Sequence, residues 1–138
     1  MTGNRVDVTR VYHFSAAHRL ESPALSPEAN ATLYGLCHRP HGHNYYVEVT
    51  VTGAPDPLTG MAVDLGRLDT VVRRSLLDQV DHRVLEEALP LRGVVTTGEG
   101  LARAFWRLLA PAVGPGALTR IAVVETAKNR FEYRGEDR

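Results

Sequence analysis

The sequence predicts an α+β fold in which two helices cover one face of an antiparallel sheet. Stretches that alternate apolar and polar residues lie towards both ends, and two apolar stripes at helical spacing lie between them. Breaks rich in glycine and proline separate these segments. The expected order is strand, strand, helix, helix, strand, strand.

The first strand is expected over Arg5 to Phe14, where Val6, Val8, Tyr12 and Phe14 share one parity. It runs into Ser15-Ala16-Ala17-His18, and Glu21 to Leu33 reads as a loop with one helical turn at Pro27–Asn30. Tyr45, Val47, Val49 and Val51 share a parity opposite to Tyr46, Glu48, Thr50 and Thr52, which gives the clearest strand. Gly53 to Gly60 is a turn, with Met61-Ala62-Val63 either extending the sheet or leading out of it. Asp64 is placed to cap a helix from about Leu65 to Val80, with Leu65, Leu68, Val72, Leu76 and Val80 on its core face. Thr97 is placed to cap the next helix, with Leu101, Ala104, Phe105 and Leu108 on its stripe and Pro111 and Gly114-Pro115-Gly116 at its end. Leu118 to Thr126 is a strand with Ile121, Val123 and Glu125 in phase, and Phe131 to Arg134 returns as its hairpin partner.

Length fits one domain over residues 1–138. Sixteen basic residues balance sixteen acidic ones, so no global field attracts nucleic acid or an anionic membrane. The single cysteine excludes an internal disulfide framework and fits a reducing cytoplasm. No signal peptide and no apolar run of bilayer length is expected.

The chemistry concentrates in Tyr34 to Tyr46, which holds Cys37, His38, His41 and His43. On an extended chain His41 and His43 point to the same side, roughly 6–7 Å apart, a spacing at which two imidazoles can converge on one metal ion. A catalytic zinc site commonly has three protein ligands and an open position. His18 is the better third candidate because small residues precede it; His13, in mid-strand, is its rival. Cys37 has three readings: a fourth ligand closing the site, a thiol base, or a small buried hydrophobe. Glu125 places a carboxylate on an apolar parity, where it needs solvent or a specific partner.

In order, Phe14-Ser-Ala-Ala-His18, Cys37, His41-Gly-His43-Asn-Tyr45, Gly60-Met61, Asp64-Leu65, Asp81-His82, Thr97-Gly98-Glu99, Val124-Glu125-Thr126 and Tyr133-Arg-Gly135-Glu136 resemble one family. It is that of 6-pyruvoyl-tetrahydropterin synthase and 6-carboxytetrahydropterin synthase. The resemblance implies a tunnelling fold whose subunits assemble into a barrel, usually a homohexamer of two trimers with active sites at subunit interfaces. It implies zinc on His18, His41 and His43, with Cys37 as the proton-abstracting base assisted by Asp81 and His82. Glu125 would anchor the pterin ring, and Thr97 and Glu99 would line its pocket. The implied substrate is 7,8-dihydroneopterin triphosphate, handled without a nucleotide cofactor or redox partner.

Only three residues separate Cys37 from His41, which resembles the carboxy-type enzyme of the queuosine pathway. The expected product is therefore 6-carboxy-5,6,7,8-tetrahydropterin. The alternative is 6-pyruvoyltetrahydropterin, which the Ser26-Pro-Glu-Ala-Asn30 segment resembles more. A pterin- or metal-binding protein without turnover is a third reading.

Overall fold

The computed structural model describes residues 4–135. Its framework is a long antiparallel ribbon of β1 (Val6–His18) and β2 (His41–Gly53), in register from Val6 opposite Gly53 to His18 opposite His41. The parity read from the sequence holds: Phe14, Ala16, Tyr45, Val47, Val49 and Val51 are buried on one face, while Tyr46 and Val11 are exposed on the other. Phe14 stacks on Tyr45 at 4.8 Å between centroids and meets the edge of Phe105 at 5.8 Å. That aromatic contact ties the ribbon to the helical layer.

α2 (Leu65–Val72) is capped by the Asp64 carboxylate, which accepts from the Arg67 N–H at 3.0 Å. The helix expected to Val80 continues through a π-helical turn (Arg73–Leu77) into a last turn, α3 (Asp78–Val80). Its apolar stripe is the expected one, with Leu68, Val72, Leu76 and Val80 buried. α4 (Gly98–Val113) is capped by Thr97 and buries Leu101, Ala104, Phe105 and Leu109, so its inner stripe is completed by Leu109 rather than Leu108. Pro111 falls inside the final turn, where little helical bonding remains to be lost, and the helix ends at Gly114 with φ 108°.

β4 (Leu118–Thr126) pairs with β2, and β5 (Asn129–Tyr133) closes the hairpin. A two-residue strand, β3 (Arg83–Val84), lies parallel to β1 at Ala16 and Ala17, giving the order β3-β1-β2-β4-β5. The sheet is therefore mixed at one edge. Met61–Val63 does not extend it: Ala62 crosses over Gly53 so closely that a Cβ there would lie 2.2 Å from the Ala62 carbonyl oxygen.

The segment before Cys37 departs furthest from expectation. Pro27–Tyr34 forms a two-turn helix, α1, followed by a 3-10 turn over Gly35–His38. Its ends and one polar residue hold it in place. Ser26 caps the Ala29 N–H at 3.1 Å, and buried Asn30 accepts from the Ser22 N–H at 2.8 Å while donating to the Ser22 carbonyl at 3.0 Å. With no apolar stripe to bury, α1 carries no periodic signal. No helix among the described residues is long and apolar enough to cross a membrane.

Candidate metal centre

The register of β1 and β2 assembles three imidazoles at the mouth of the ribbon. His18 lies opposite His41, and small Ala16 opposite His43, so all three rings project from the core face without a bulky neighbour between them. Ring centroids are 4.6 Å apart for His18 and His41, 5.2 Å for His18 and His43, and 4.9 Å for His41 and His43. One ring nitrogen from each lies within 4.8 Å of the others. His13 is exposed on the opposite parity against Tyr46, which removes it as the third ligand.

Hydrogen bonds select the tautomers. His18 Nδ1 faces the Thr96 carbonyl at 3.0 Å and His41 Nδ1 the Arg39 carbonyl at 2.7 Å. Facing carbonyl acceptors, both nitrogens must carry the proton, which leaves the Nε2 lone pairs free to coordinate. Burial holds His18 below its usual pKa, reinforced by the neighbouring His41, and burial does the same to His43. Neutral imidazoles at this spacing fit zinc, whose tetrahedral ligand nitrogens sit roughly 3.3 Å apart and are reached by small side-chain rotations.

Glu125 stands beside this trio because it shares the core-facing parity of Ile121 and Val123, and the backbone of β4 is irregular there. The pairing with β5 shifts between Val124 and Thr126, leaving Glu125 as the bulged residue. Its side chain is 16% exposed, with Oε2 3.9 Å from Nε2 of both His18 and His43 and Oε1 3.5 Å from the Asn129 amide nitrogen. The Tyr45 hydroxyl also reaches the site, 3.3 Å from His18 Nε2.

Cys37 is exposed on its 3-10 turn. That turn is fastened just beyond His18: the Leu20 N–H donates to the Cys37 carbonyl at 2.8 Å, and His38 Nδ1 donates to the Leu20 carbonyl at 3.0 Å. Asp81 and His82 occupy the outer edge of β1. Asp81 Oδ1 accepts from the Ser15 N–H at 3.0 Å and lies 2.9 Å from His82 Nδ1. The Ser15 bond, with His82 beside it, holds the Asp81 carboxyl below its usual range. His82 adopts φ 59°, and this left-handed backbone turns two sequence neighbours towards each other. Its side chain is 83% exposed and does not join the imidazole trio.

Residues 7–136 match the family described as 6-pyruvoyl tetrahydropterin synthase. The chain belongs to this family. The guppy Poecilia reticulata 6-pyruvoyl tetrahydrobiopterin synthase is 44% identical over 132 residues, 94% of this chain and 90% of that one. The Caenorhabditis elegans 6-pyruvoyl tetrahydropterin synthase structure superposes with a TM-score of 0.89 at 37% identity, covering 96% of each chain. A probable 6-carboxy-5,6,7,8-tetrahydropterin synthase of Halobacterium salinarum is 39% identical over 85 residues, 59% of this chain and 45% of that one.

The family is one of pterin synthase lyases with the tunnelling fold, and the two residues expected to line its pocket, Thr97 and Glu99, differ in what they offer. The Thr97 hydroxyl oxygen is engaged as a helix cap, accepting from the Gly100 N–H at 3.1 Å. Glu99 is exposed in the first turn of α4. Gly98 between them has no room for a side chain, since a Cβ would lie 2.0 Å from the Phe131 ring. Sequence reading missed Thr96, whose carbonyl accepts from His18, and the part His38 plays in fastening the Cys37 turn. Adjacency to the capping Thr97 was the one signal for Thr96, and adjacency to Cys37 the one for His38.

Proposed function

We propose that this protein is a zinc-dependent lyase that eliminates triphosphate from 7,8-dihydroneopterin triphosphate to give 6-pyruvoyltetrahydropterin. The observation that carries the reading is the trio His18, His41 and His43, in a chain whose similarity to pyruvoyl-type synthases extends over nearly its whole length. The similarity favours this product over the carboxy-type one expected from the Cys37–His41 spacing. That spacing belongs to a 3-10 turn and a short link ahead of the β1–β2 ladder, where chain length changes at little structural cost. The carboxy-type relative, by contrast, matches little more than half of the chain.

In this reading His18, His41 and His43 hold zinc through Nε2. When bound, the metal supplies Lewis acidity to the substrate's side-chain hydroxyls, making the adjoining carbon-bound hydrogens more acidic. Glu125 accepts paired hydrogen bonds from the donor-rich edge of the pterin and orients the ring. Cys37, as thiolate, takes a proton from the side-chain carbon, and the bond to triphosphate then breaks. Asp81 and His82 assist from a neighbouring subunit, a placement supported by their position on the outer edge of β1. Thr97 and Glu99 are secondary candidates for the pocket wall. A homohexamer in the cytoplasm completes the reading, the location resting on the lone free thiol.

The test separates metal from base. Chelation should abolish triphosphate release, and one zinc per chain should restore it. Cys37→Ala should keep one zinc per chain and lose about 10²–10⁴-fold in turnover. Full turnover in the chelated protein would refute the zinc reading. Zinc loss from Cys37→Ala would make the cysteine a ligand, full activity in that variant would remove it as the base, and no turnover by the zinc-loaded wild type would return the protein to a pterin- or metal-binding role.

A further inference from the structure

His18 is gripped from two sides by one carboxylate outside the trio. Glu86 Oε1 accepts from the Thr96 hydroxyl at 3.0 Å and from the Arg19 N–H at 2.8 Å. Arg19 is the residue after His18, and Thr96 presents both its carbonyl at 3.0 Å and its hydroxyl oxygen at 3.1 Å to His18 Nδ1. Because the Thr96 hydroxyl gives its proton to Glu86, its lone pairs face the imidazole N–H. A continuous path therefore runs from His18 Nδ1–H through Thr96 to a carboxylate. The turn carrying Glu86 is set by Leu85, which is fully buried in the core.

Stability alone does not account for this carboxylate. Its second oxygen, Oε2, is buried and has no hydrogen-bond partner among the described residues. A buried charge left half-satisfied costs stability unless a nearby positive charge offsets it. A cation on the far nitrogen of His18 would be such a charge, coupled to Glu86 through the imidazole and Thr96.

We propose that Glu86 is a positioning residue for the metal centre: through Thr96 and the Arg19 N–H it fixes the ring of His18 and strengthens its Nε2 as a ligand. This rests on the zinc reading above and adds the residue that tunes it. Carboxylate support behind a ligating histidine typically changes metal affinity 10–100-fold.

The test is zinc affinity, measured by competition with a chromogenic chelator, alongside the melting temperature of the zinc-free protein. Glu86→Gln retains an acceptor for both hydrogen bonds and removes the charge. It should melt with the wild type when zinc-free, yet bind zinc about 10–100-fold more weakly. Thr96→Val, which cuts the path at nearly constant shape, should weaken zinc comparably, and Thr96→Ser should restore it. Unchanged zinc affinity in Glu86→Gln overturns the proposal. So does a loss matched by a lower zinc-free melting temperature with Thr96→Ser as impaired as Thr96→Val, because that marks a purely structural role. His18→Ala serves as the control: undiminished zinc binding there overturns the zinc reading itself, independently of Glu86.

Discussion

A carboxylate on an apolar strand parity needs a reason, and at Glu125 the backbone supplies one. Glu125 shares the inward parity of Ile121 and Val123, which aims its side chain towards His18 and His43, and the bulge in β4 frees it from regular pairing with β5. If the group recognises the pterin, Glu125→Gln should fold, keep zinc and bind pterin more weakly by roughly 1.5–3 kcal/mol, the worth of a hydrogen bond to a charged group. Titration of the zinc-loaded variant with a pterin reads this directly; unchanged affinity with a lowered melting temperature would assign Glu125 to the fold. At this scale the sequence was informative where parity decides. His41 with His43 follows from a two-residue step. His18 is preferred to His13 for the small residues before it, and the structure adds that His18 faces the core and His13 does not. The bulge was not legible, because one extra residue leaves the alternating pattern of Ile121 and Val123 intact before it. Nor was the Asp81–His82 contact, which depends on a left-handed φ that a histidine rarely adopts.

Among the elements, those that bury an apolar stripe were readable: β2, the Leu65–Val80 helical segment and α4 all announce their inner face through periodicity. α1 was not, since capping and Asn30 hold it rather than hydrophobic burial. The outer face of β2, β4 and β5 works by charge instead. Glu48 meets Arg130 at 2.6 Å and Arg120 at 2.8 Å, and Glu132 meets Arg120 at 3.1 Å. Arg130, chiefly, and then Arg120 lower the Glu48 pKa from 4.5 to about 2. A carboxyl lowered on folding adds stability that is full above its unfolded value and is lost as pH falls through the folded one. Glu48 should therefore contribute on the order of 1–2 kcal/mol near neutrality, after discounting for the solvent around Arg130, and lose it between about pH 4.5 and pH 2. Denaturant unfolding across that range should show a shallower acid loss for Glu48→Gln than for the wild type. Parallel curves would mean that the charged face adds nothing to the fold.

At the scale of the whole molecule, the sheet's edges and the position of Asp81 and His82 point outwards. β3 covers β1 only at Ala16 and Ala17, so most of a long strand lies along an edge that invites pairing with another chain. The proposed hexamer would cover such edges and would bring the Asp81–His82 pair of one subunit towards the trio of the next. Sedimentation at micromolar concentration should give six times the 15.2 kDa chain mass, and a monomer with full turnover would refute the interface arrangement. The four-strand, purely antiparallel expectation missed only β3, a strand of two residues and too short to leave a pattern. The product question belongs to the same scale, because the short loop spacing and the similarity along the chain point to different products. Incubating the zinc-loaded protein with 7,8-dihydroneopterin triphosphate under anaerobic conditions and weighing the products tests the account most directly. It predicts inorganic triphosphate together with 6-pyruvoyltetrahydropterin; 6-carboxytetrahydropterin in its place, or substrate returned intact, would contradict it.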